Sequence, residues 1–263
     1  MKRIVSADNK IIKLVRQLKS KKGRDKSGFY LIEGPNLLRE AVENGAEIAF
    51  ALFCESENGG GAEGAEGFAS AVLDAGAEAV LIPRELFVSL ADVETPQQLM
   101  AVVRKPVCGL GLVVPGNWLI LDKIQDQGNI GTLVRTAEAA GFKGVLSVKG
   151  SGDVFSPKAV RASAGALFRI ELGFAESAAD AVRIARASGK RIIAADAHGS
   201  VSCYEADFSC DLALAVGNEG NGLSREFVEN ADMIVRIPMP GKAESLNASV
   251  AAAIIMFETV RRG

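Results

Sequence analysis

Two hydrophobic periods run through this chain. Ile11, Ile12, Val15 and Leu18 recur at the spacing of one helix face, with Lys10, Lys13, Arg16 and Lys19 spread over the others. Residues 21–26, Lys-Lys-Gly-Arg-Asp-Lys, read as a basic loop because Gly23 interrupts them. Short apolar runs at 29–33, 48–54, 79–82 and 100–103 predict strands, and helical patterns at 35–44, 68–75 and 86–90 lie between them. Pro35 suits a first helical turn. Residues 55–67, rich in Gly, Glu and Ala, offer nothing to pack and predict a mobile, dispensable loop.

Pro106, Gly109, Gly111, Pro115 and Gly116 then break the pattern. A second alternation follows, with strands at 118–121, 145–148, 191–195, 212–216 and 233–241. Helices are expected at 130–140, 157–168 and 178–187, and a long alanine-rich one follows Ser249; Gly141 and Gly189 stop two of them. Strand and helix in turn imply an α/β fold, a parallel sheet covered on both faces. The 263 residues suggest two domains, 1–106 and 117–263, joined by a linker at 107–116.

Composition narrows the classes. Hydrophobic residues make up 48 %, enough for packed cores. No apolar run reaches membrane-spanning length, and the first residues lack a signal-peptide core. Cys54, Cys108, Cys203 and Cys210 are scattered without a CxxC pair, so neither a zinc knuckle nor a disulfide framework is indicated. A reducing, cytoplasmic setting is the expectation. The net charge of −2 hides an asymmetry. In residues 1–26, ten Lys/Arg stand against Asp8 and Asp25, a balance of +8, while the rest carries 20 basic and 30 acidic side chains. A solvated helix face explains such a run; an anionic partner, nucleic acid, explains its continuation past Gly23 better.

Chemistry concentrates in the C-terminal half. The buried-strand pattern at 212–216 opens into Gly217-Asn218-Glu219-Gly220-Asn221-Gly222, and the strand expected at 233–241 closes on Pro238-Met239-Pro240-Gly241. Open α/β sheets bind ligands beyond the carboxyl ends of their strands, so a pocket is expected there. Glycines let a ligand approach the backbone closely; an ordinary strand-to-helix turn is the competing reading. The spacing at 217, 220 and 222 is the reverse of the dinucleotide fingerprint, and Gly109-Leu110-Gly111 leads into Val113-Val114-Pro115 instead of a helix. Ser245 suits an N-cap, whereas Asn247, placed at the second helical position, has no propensity argument. Asn129 falls in the loop at a helix entrance, where its amide can cap, and Arg135 about two turns in, where a long side chain can snorkel to water. Small residues at 162–166 permit close helix packing. His198 is the only histidine, so neither a Ser-His-Asp set nor a His/Cys metal cluster assembles.

The segment Asn129-Ile130-Gly131-Thr132-Leu133-Val134-Arg135-Thr136-Ala137 resembles motif 1 of the TrmH/SpoU branch of SPOUT RNA methyltransferases. Gly217-Asn218-Glu219-Gly220, Ile237-Pro238-Met239 and Ser245-Leu246-Asn247-Ala248-Ser249 resemble motifs 2 and 3. That resemblance implies a deep C-terminal trefoil knot, a homodimer with its site at the interface, and S-adenosylmethionine as methyl donor. It implies an RNA 2′-O-ribose methyltransferase, with 23S-type ribosomal RNA preferred over tRNA. A catalytically silent RNA-binding protein of the same fold is the rival. By resemblance, Asn129, Arg135, Glu219, Ser245 and Asn247 are catalytic, and the carried-over Glu219 orients the reacting Arg or ribose. Gly217, Asn218, Gly220, Ile237, Met239, Leu246 and Asn247 hold the cofactor, with Ile237 and Leu246 flanking adenine and Gly217 at the ribose; no metal is implied. The helix at 157–168 is placed by the same resemblance along the active site and RNA groove. A guanidinium that stays protonated above pH ~12 suits stabilisation of a ribose oxyanion, not proton removal. The first domain, through residues 29–36 and Thr95-Pro96-Gln97, resembles a ribosomal-protein L30e-like substrate-binding domain.

Overall fold

A computed structural model describes residues 1–56, 65–92, 95–106 and 114–262. The centre of the expected mobile loop at 55–67 and most of the expected linker at 107–116 lie outside the described residues. The chain divides into two compact units, Met1–Pro106 with Phe155–Phe168, and Val107–Val154 with Arg169–Gly263.

The first unit runs β1 (Lys2–Arg3), α1 (Lys10–Leu18), α2 (Lys21–Ser27), β2 (Phe29–Glu33), α3 (Pro35–Glu43), β3 (Ile48–Cys54), α4 (Ala65–Asp74), β4 (Glu78–Ile82), α5 (Arg84–Leu90) and β5 (Leu99–Arg104). Its sheet order is β1-β4-β3-β5-β2, with β5 antiparallel to both neighbours. Ile12, Val15 and Leu18 of α1 bury their stripe with Leu52, Val80, Phe87 and Val102, as the helical period requires.

The basic loop expected at 21–26 is instead helix α2. Ser20 caps it by accepting from the Gly23 N–H, and Gly28 ends it in the left-handed region at φ 74°. Gly23 is a contact requirement and not a breaker: a Cβ there would lie 1.9 Å from the Gln17 carbonyl oxygen. Arg24 is buried and donates to the carbonyls of Leu18 and Lys19 at 2.7 and 3.0 Å. One of the ten cations therefore ties helices together.

The second stretch runs β6 (Trp118–Asp122), α6 (Gln127–Ala139), β7 (Gly144–Val148), α7 (Pro157–Ser163), β8 (Glu171–Ala175), α8 (Ala178–Ala187), β9 (Arg191–Ala195), β10 (Val201–Ser202), β11 (Leu212–Gly217), α9 (Arg225–Asn230), β12 (Met233–Arg236) and α10 (Ala248–Arg262). Its seven strands, ordered β10-β12-β9-β11-β6-β7-β8, pair in parallel throughout. From β6 the chain builds outward through β7 and β8, then crosses back so that β11 pairs with β6 on its other edge. That reversal is the switch point where such sheets open a crevice.

Every residue of β6 and β7 is buried, which explains patterns that are apolar except for Asp122 and Ser147. Trp118 is fully buried, its indole donating to the Val114 carbonyl and its ring 5.0 Å from the Lys190 ammonium, which pairs with Asp211 at 2.9 Å. No helix among the described residues is long and apolar enough to cross a membrane.

The expected helix at 157–168 stops at Ser163, because Ala164 and Gly165 turn left-handed at φ 47° and 90° and a 3-10 turn follows at Ala166–Phe168. A Cβ on Gly165 would sit 2.7 Å from Glu40 Cγ, so the small residues serve close packing against α3. Phe155 meets Tyr30 with ring centroids 5.0 Å apart. This segment, read from sequence as part of the C-terminal domain, thus packs within the first unit.

Candidate active site

Three loops at the carboxyl ends of parallel strands of the second unit, those after β9, β11 and β12, line one cleft together with the start of α10, and the loop after β6 braces the β11 loop. The register places Gly217 of β11 opposite Asp122 of β6, so the loops leaving these strands start side by side. Asp122 is buried, and its two oxygens accept from the Ser224 N–H at 2.5 Å and the Ser224 hydroxyl at 3.0 Å. This clamp ties the far end of the β11 loop to the end of β6.

The loop itself is a tight reversal. Asn218 and Gly222 exchange backbone hydrogen bonds at 3.0 and 2.9 Å, and the Asn218 side-chain oxygen accepts from the N–H groups of Gly220 and Asn221. The Asn218 amide donates to the Lys123 carbonyl at 2.9 Å, aimed by the left-handed backbone of Lys123 at φ 57°. A Cβ on Gly217 would lie 2.3 to 2.5 Å from backbone atoms of Gly222 and Leu223. Glycine is needed there for the chain's own return.

A chain of three side chains crosses the site. The Asn247 amide donates to Asn129 Oδ1 at 3.1 Å, and the Asn129 amide donates to Glu219 Oε1 at 2.9 Å. The Gln125 N–H reaches Glu219 Oε2 at 3.4 Å. Partial burial works to raise the Glu219 pKa; the hydrogen bonds from Asn129 and the surrounding backbone outweigh it and hold the carboxyl below its ordinary range. Glu219 therefore stays ionised at neutral pH. A carboxyl depressed on folding contributes stability above its unfolded pKa and loses it as pH falls through the folded one.

Two positions differ from expectation. Helix α6 begins at Gln127, with Asp126 as N-cap accepting from the Asn129 N–H at 2.8 Å, so Asn129 sits inside the first turn and does not cap. Its freed amide is what bridges Asn247 and Glu219. Asn247 is the cap itself: its side-chain oxygen accepts from the Ser249 N–H at 2.9 Å and from the Ser249 hydroxyl at 2.6 Å, and α10 starts at Ala248. Ser245 lies two residues earlier, exposed, without that role. Arg135 stands apart from this network, exposed and with no hydrogen bond or ion pair among the described residues.

The cleft measures about 410 Å³, within the usual range for small-molecule sites. Gly217, Asn218, Gly220, Ile237, Met239 and Leu246 all line it, with Ser245 and Glu219 at its wall. Asn247, also expected at the cofactor, does not line the cleft; it joins the hydrogen-bonded chain through Asn129.

Residues 116–257 match the SpoU rRNA methylase family, and residues 9–101 match an MRM3-like substrate binding domain. The chain is 32 % identical, over 98 % of each protein, to the 23S rRNA (guanosine(2553)-2′-O)-methyltransferase RlmP of Bacillus subtilis. It belongs to the SpoU rRNA methylase family. A second relative, the 23S rRNA (uridine(2479)-2′-O)-methyltransferase of Streptomyces viridochromogenes, is 31 % identical over 99 % of this chain and 92 % of its own. Among solved structures, the AdoMet-bound rRNA methyltransferase of Sinorhizobium meliloti superposes with a TM-score of 0.88 at 31 % identity, over 99 % of this chain and 97 % of that one.

Within this SpoU family member, two contributions escaped the sequence reading. The loop after β9 puts Asp196, Ala197 and His198 into the cleft wall, and Asp196 accepts from the His198 N–H at 2.7 Å. The loop after β6 brings Gln125, whose side chain donates to the Gly150 carbonyl while its N–H serves Glu219. Position at the carboxyl end of an apolar run was the available signal for both.

Proposed function

We propose that this chain is an S-adenosylmethionine-dependent RNA 2′-O-ribose methyltransferase acting on 23S ribosomal RNA. The single observation that carries the reading is the Asn247–Asn129–Glu219 chain set beside a cleft with apolar walls and exposed loop backbone. The cleft fits the cofactor: Ile237, Leu246, Ala251 and Ile255 offer apolar surface for a flat base, and the glycine loop offers backbone groups for a ribose. S-adenosylmethionine supplies an electrophilic sulfonium methyl. The protein's part is positioning of the ribose oxygen and stabilisation of its negative charge. Glu219, fixed by two donors, orients the ribose, and Arg135 supplies the cation. The 23S target follows the two full-length relatives, whose names specify 2′-O-methylation of that RNA.

The same reading includes the C-terminal trefoil knot, the L30e-like character of the first domain, a cytoplasmic setting and a homodimer. Supporting the dimer, α10 leaves Val250, Phe257 and Val260 about half exposed, at 48, 49 and 52 %, along a helix otherwise packed on α6 and β11. Arg135, unpartnered on α6, would then meet the site of a second copy.

Calorimetry is expected to show one S-adenosylmethionine per chain, with micromolar Kd of the order of 8 kcal/mol. Ribose-methylation mapping of RNA from cells with and without the protein should reveal one lost site in 23S RNA. Absence of both binding and a lost site overturns the proposal.

The basic amino end serves RNA affinity. Lys13, Lys19 and Lys21 are paired with Asp8, Asp92 and Asp25, whereas four cations of α1 and α2, Lys10, Arg16, Lys22 and Lys26, are exposed without ion pairs among the described residues. Reversing those four to Glu should weaken RNA binding and reduce the salt slope by up to about 3. Cofactor binding should not change. An unaltered slope would return this segment to a solvated helix face.

A further inference from the structure

The first unit holds a second cleft, of about 580 Å³, that the methyl-transfer chemistry does not use. Glu33 at the end of β2, Asn36 and Arg39 on α3, Thr95 and Gln97 on the segment before β5, and Arg161 on α7 line it. Its shape depends on unusual backbone. Gly34, at φ 100°, leaves the Gln97 side chain where a Cβ would come within 1.8 Å of Oε1, and Gln98 is left-handed at φ 59°. Arg161 arrives from the segment 155–168, which interrupts the second unit in sequence.

The side chains are a mixture that suits a nucleotide. Arg161 and Arg39 make no hydrogen bond or ion pair among the described residues; Arg39 lies only near the Phe68 ring, at 6.0 Å. Two guanidiniums thus stand open beside the carboxylates of Glu33 and Glu40, free to take an external anion. Glu33 is half-buried, and burial raises its pKa above the ordinary range against the pull of the Gln97 N–H and Arg161. Its Oε1 receives only a long bond, 3.4 Å, from the Gln97 N–H, and Oε2 receives none among the described residues. A carboxylate oxygen that is open to the cleft and takes no protein donor can accept the donors of a ligand. Bases in single-stranded RNA are read on their exposed edges, and guanine alone presents two adjacent donors, N1–H and N2–H₂, to a carboxylate.

We propose that this cleft binds one unstacked guanine of the target RNA, its Watson–Crick edge on Glu33 and a flanking phosphate on Arg39 and Arg161. The proposal rests on the RNA-methyltransferase reading and names a base that reading leaves open.

Fluorescence anisotropy with the full chain tests it, using labelled heptauridylate and the same oligomer with a central G or A. The G oligomer should bind about tenfold tighter than the other two, about 1.4 kcal/mol. Glu33→Gln should erase that preference while leaving binding of heptauridylate near wild type. Arg161→Ala, an exposed change that spares folding, should weaken all three oligomers alike and lower the salt slope by about 0.7; Arg161→Lys should restore the slope. Equal binding of the three oligomers, or a G preference that survives Glu33→Gln, overturns the guanine assignment. Unchanged affinity in Arg161→Ala overturns the cleft as an RNA site. S-adenosylmethionine calorimetry on the same preparations separates the failures. Cofactor binding without guanine preference sinks the cleft alone, and guanine preference without cofactor binding sinks the methyltransferase reading alone.

Discussion

Replacing Arg135 by alanine should cut methyl transfer at least about a hundredfold, a loss of about 2.7 kcal/mol, the scale for removing one donor from a developing oxyanion. Cofactor affinity should stay near wild type, because Arg135 does not line the cleft where Gly217, Ile237 and Leu246 meet. Lysine should rescue little, since an ammonium cannot reproduce the planar fork. Single-turnover assays on the RNA substrate, beside RNA-binding titrations, separate chemistry from affinity. Near wild-type turnover with weakened RNA binding would make Arg135 a binding residue and remove it from the mechanism.

The position of Arg135 sharpens that test. It is exposed on α6 and takes no part in the Asn247–Asn129–Glu219 chain, although Asn129 lies six residues earlier on the same helix. Six residues is about 600° of turn, so the two side chains diverge by roughly 120°. A site completed by a second copy resolves the divergence. Mixing Arg135→Ala chains with Asn247→Ala chains should then regenerate a fraction of the activity, whereas chains acting alone would regenerate none.

The residues that can be read from sequence are those whose neighbours in sequence are also their neighbours in space. Strands β3, β6 and β11 carry continuous apolar runs, β7 and β9 are apolar apart from Ser147 and Arg191, and α1 and α8 keep a helical stripe, so pattern alone located them. The two-residue strands β1 and β10 are shorter than any period, and β8 is broken by Gly173 between an exposed Glu171 and a half-buried Phe174. Helix α2 was missed because Gly23 reads as a breaker when its reason is the Gln17 carbonyl pressed against it. The glycine loop and the Ser245–Ser249 stretch were visible as odd residue choices. Their joining was not: the bonds from Asn129 to Glu219 and Asn247 span 90 and 118 positions. Nor does sequence order show that residues 155–168 pack with the first unit, since that depends on Phe155 finding Tyr30.

Two alanine substitutions in one loop should behave oppositely, and the difference tests whether the β11 loop is a built cradle or an incidental turn. At Gly217 the new methyl would lie 2.3 Å from the Gly222 carbonyl carbon and 2.4 Å from the Leu223 nitrogen. Both are backbone, held by the Asn218–Gly222 pair and by Ser224 on buried Asp122, so neither can swing aside as a side chain would. Gly217→Ala should cost about 1 to 3 kcal/mol of stability, the range for forcing a methyl into a packed site. Displacing Gly222 also moves Glu219 off Asn129, so S-adenosylmethionine affinity should fall by at least about tenfold, about 1.4 kcal/mol. At Gly220 the same methyl would meet only the Asn218 side-chain oxygen, at 3.6 Å, an ordinary contact. Gly220→Ala should therefore melt within about 0.5 kcal/mol of wild type, as surface substitutions do. Thermal or urea melts of both variants, with calorimetric titration of cofactor into Gly217→Ala, give the comparison. Equal stability of the two variants would mean that the β11 loop yields freely and that Gly217 and Asp122 do not preset the cleft.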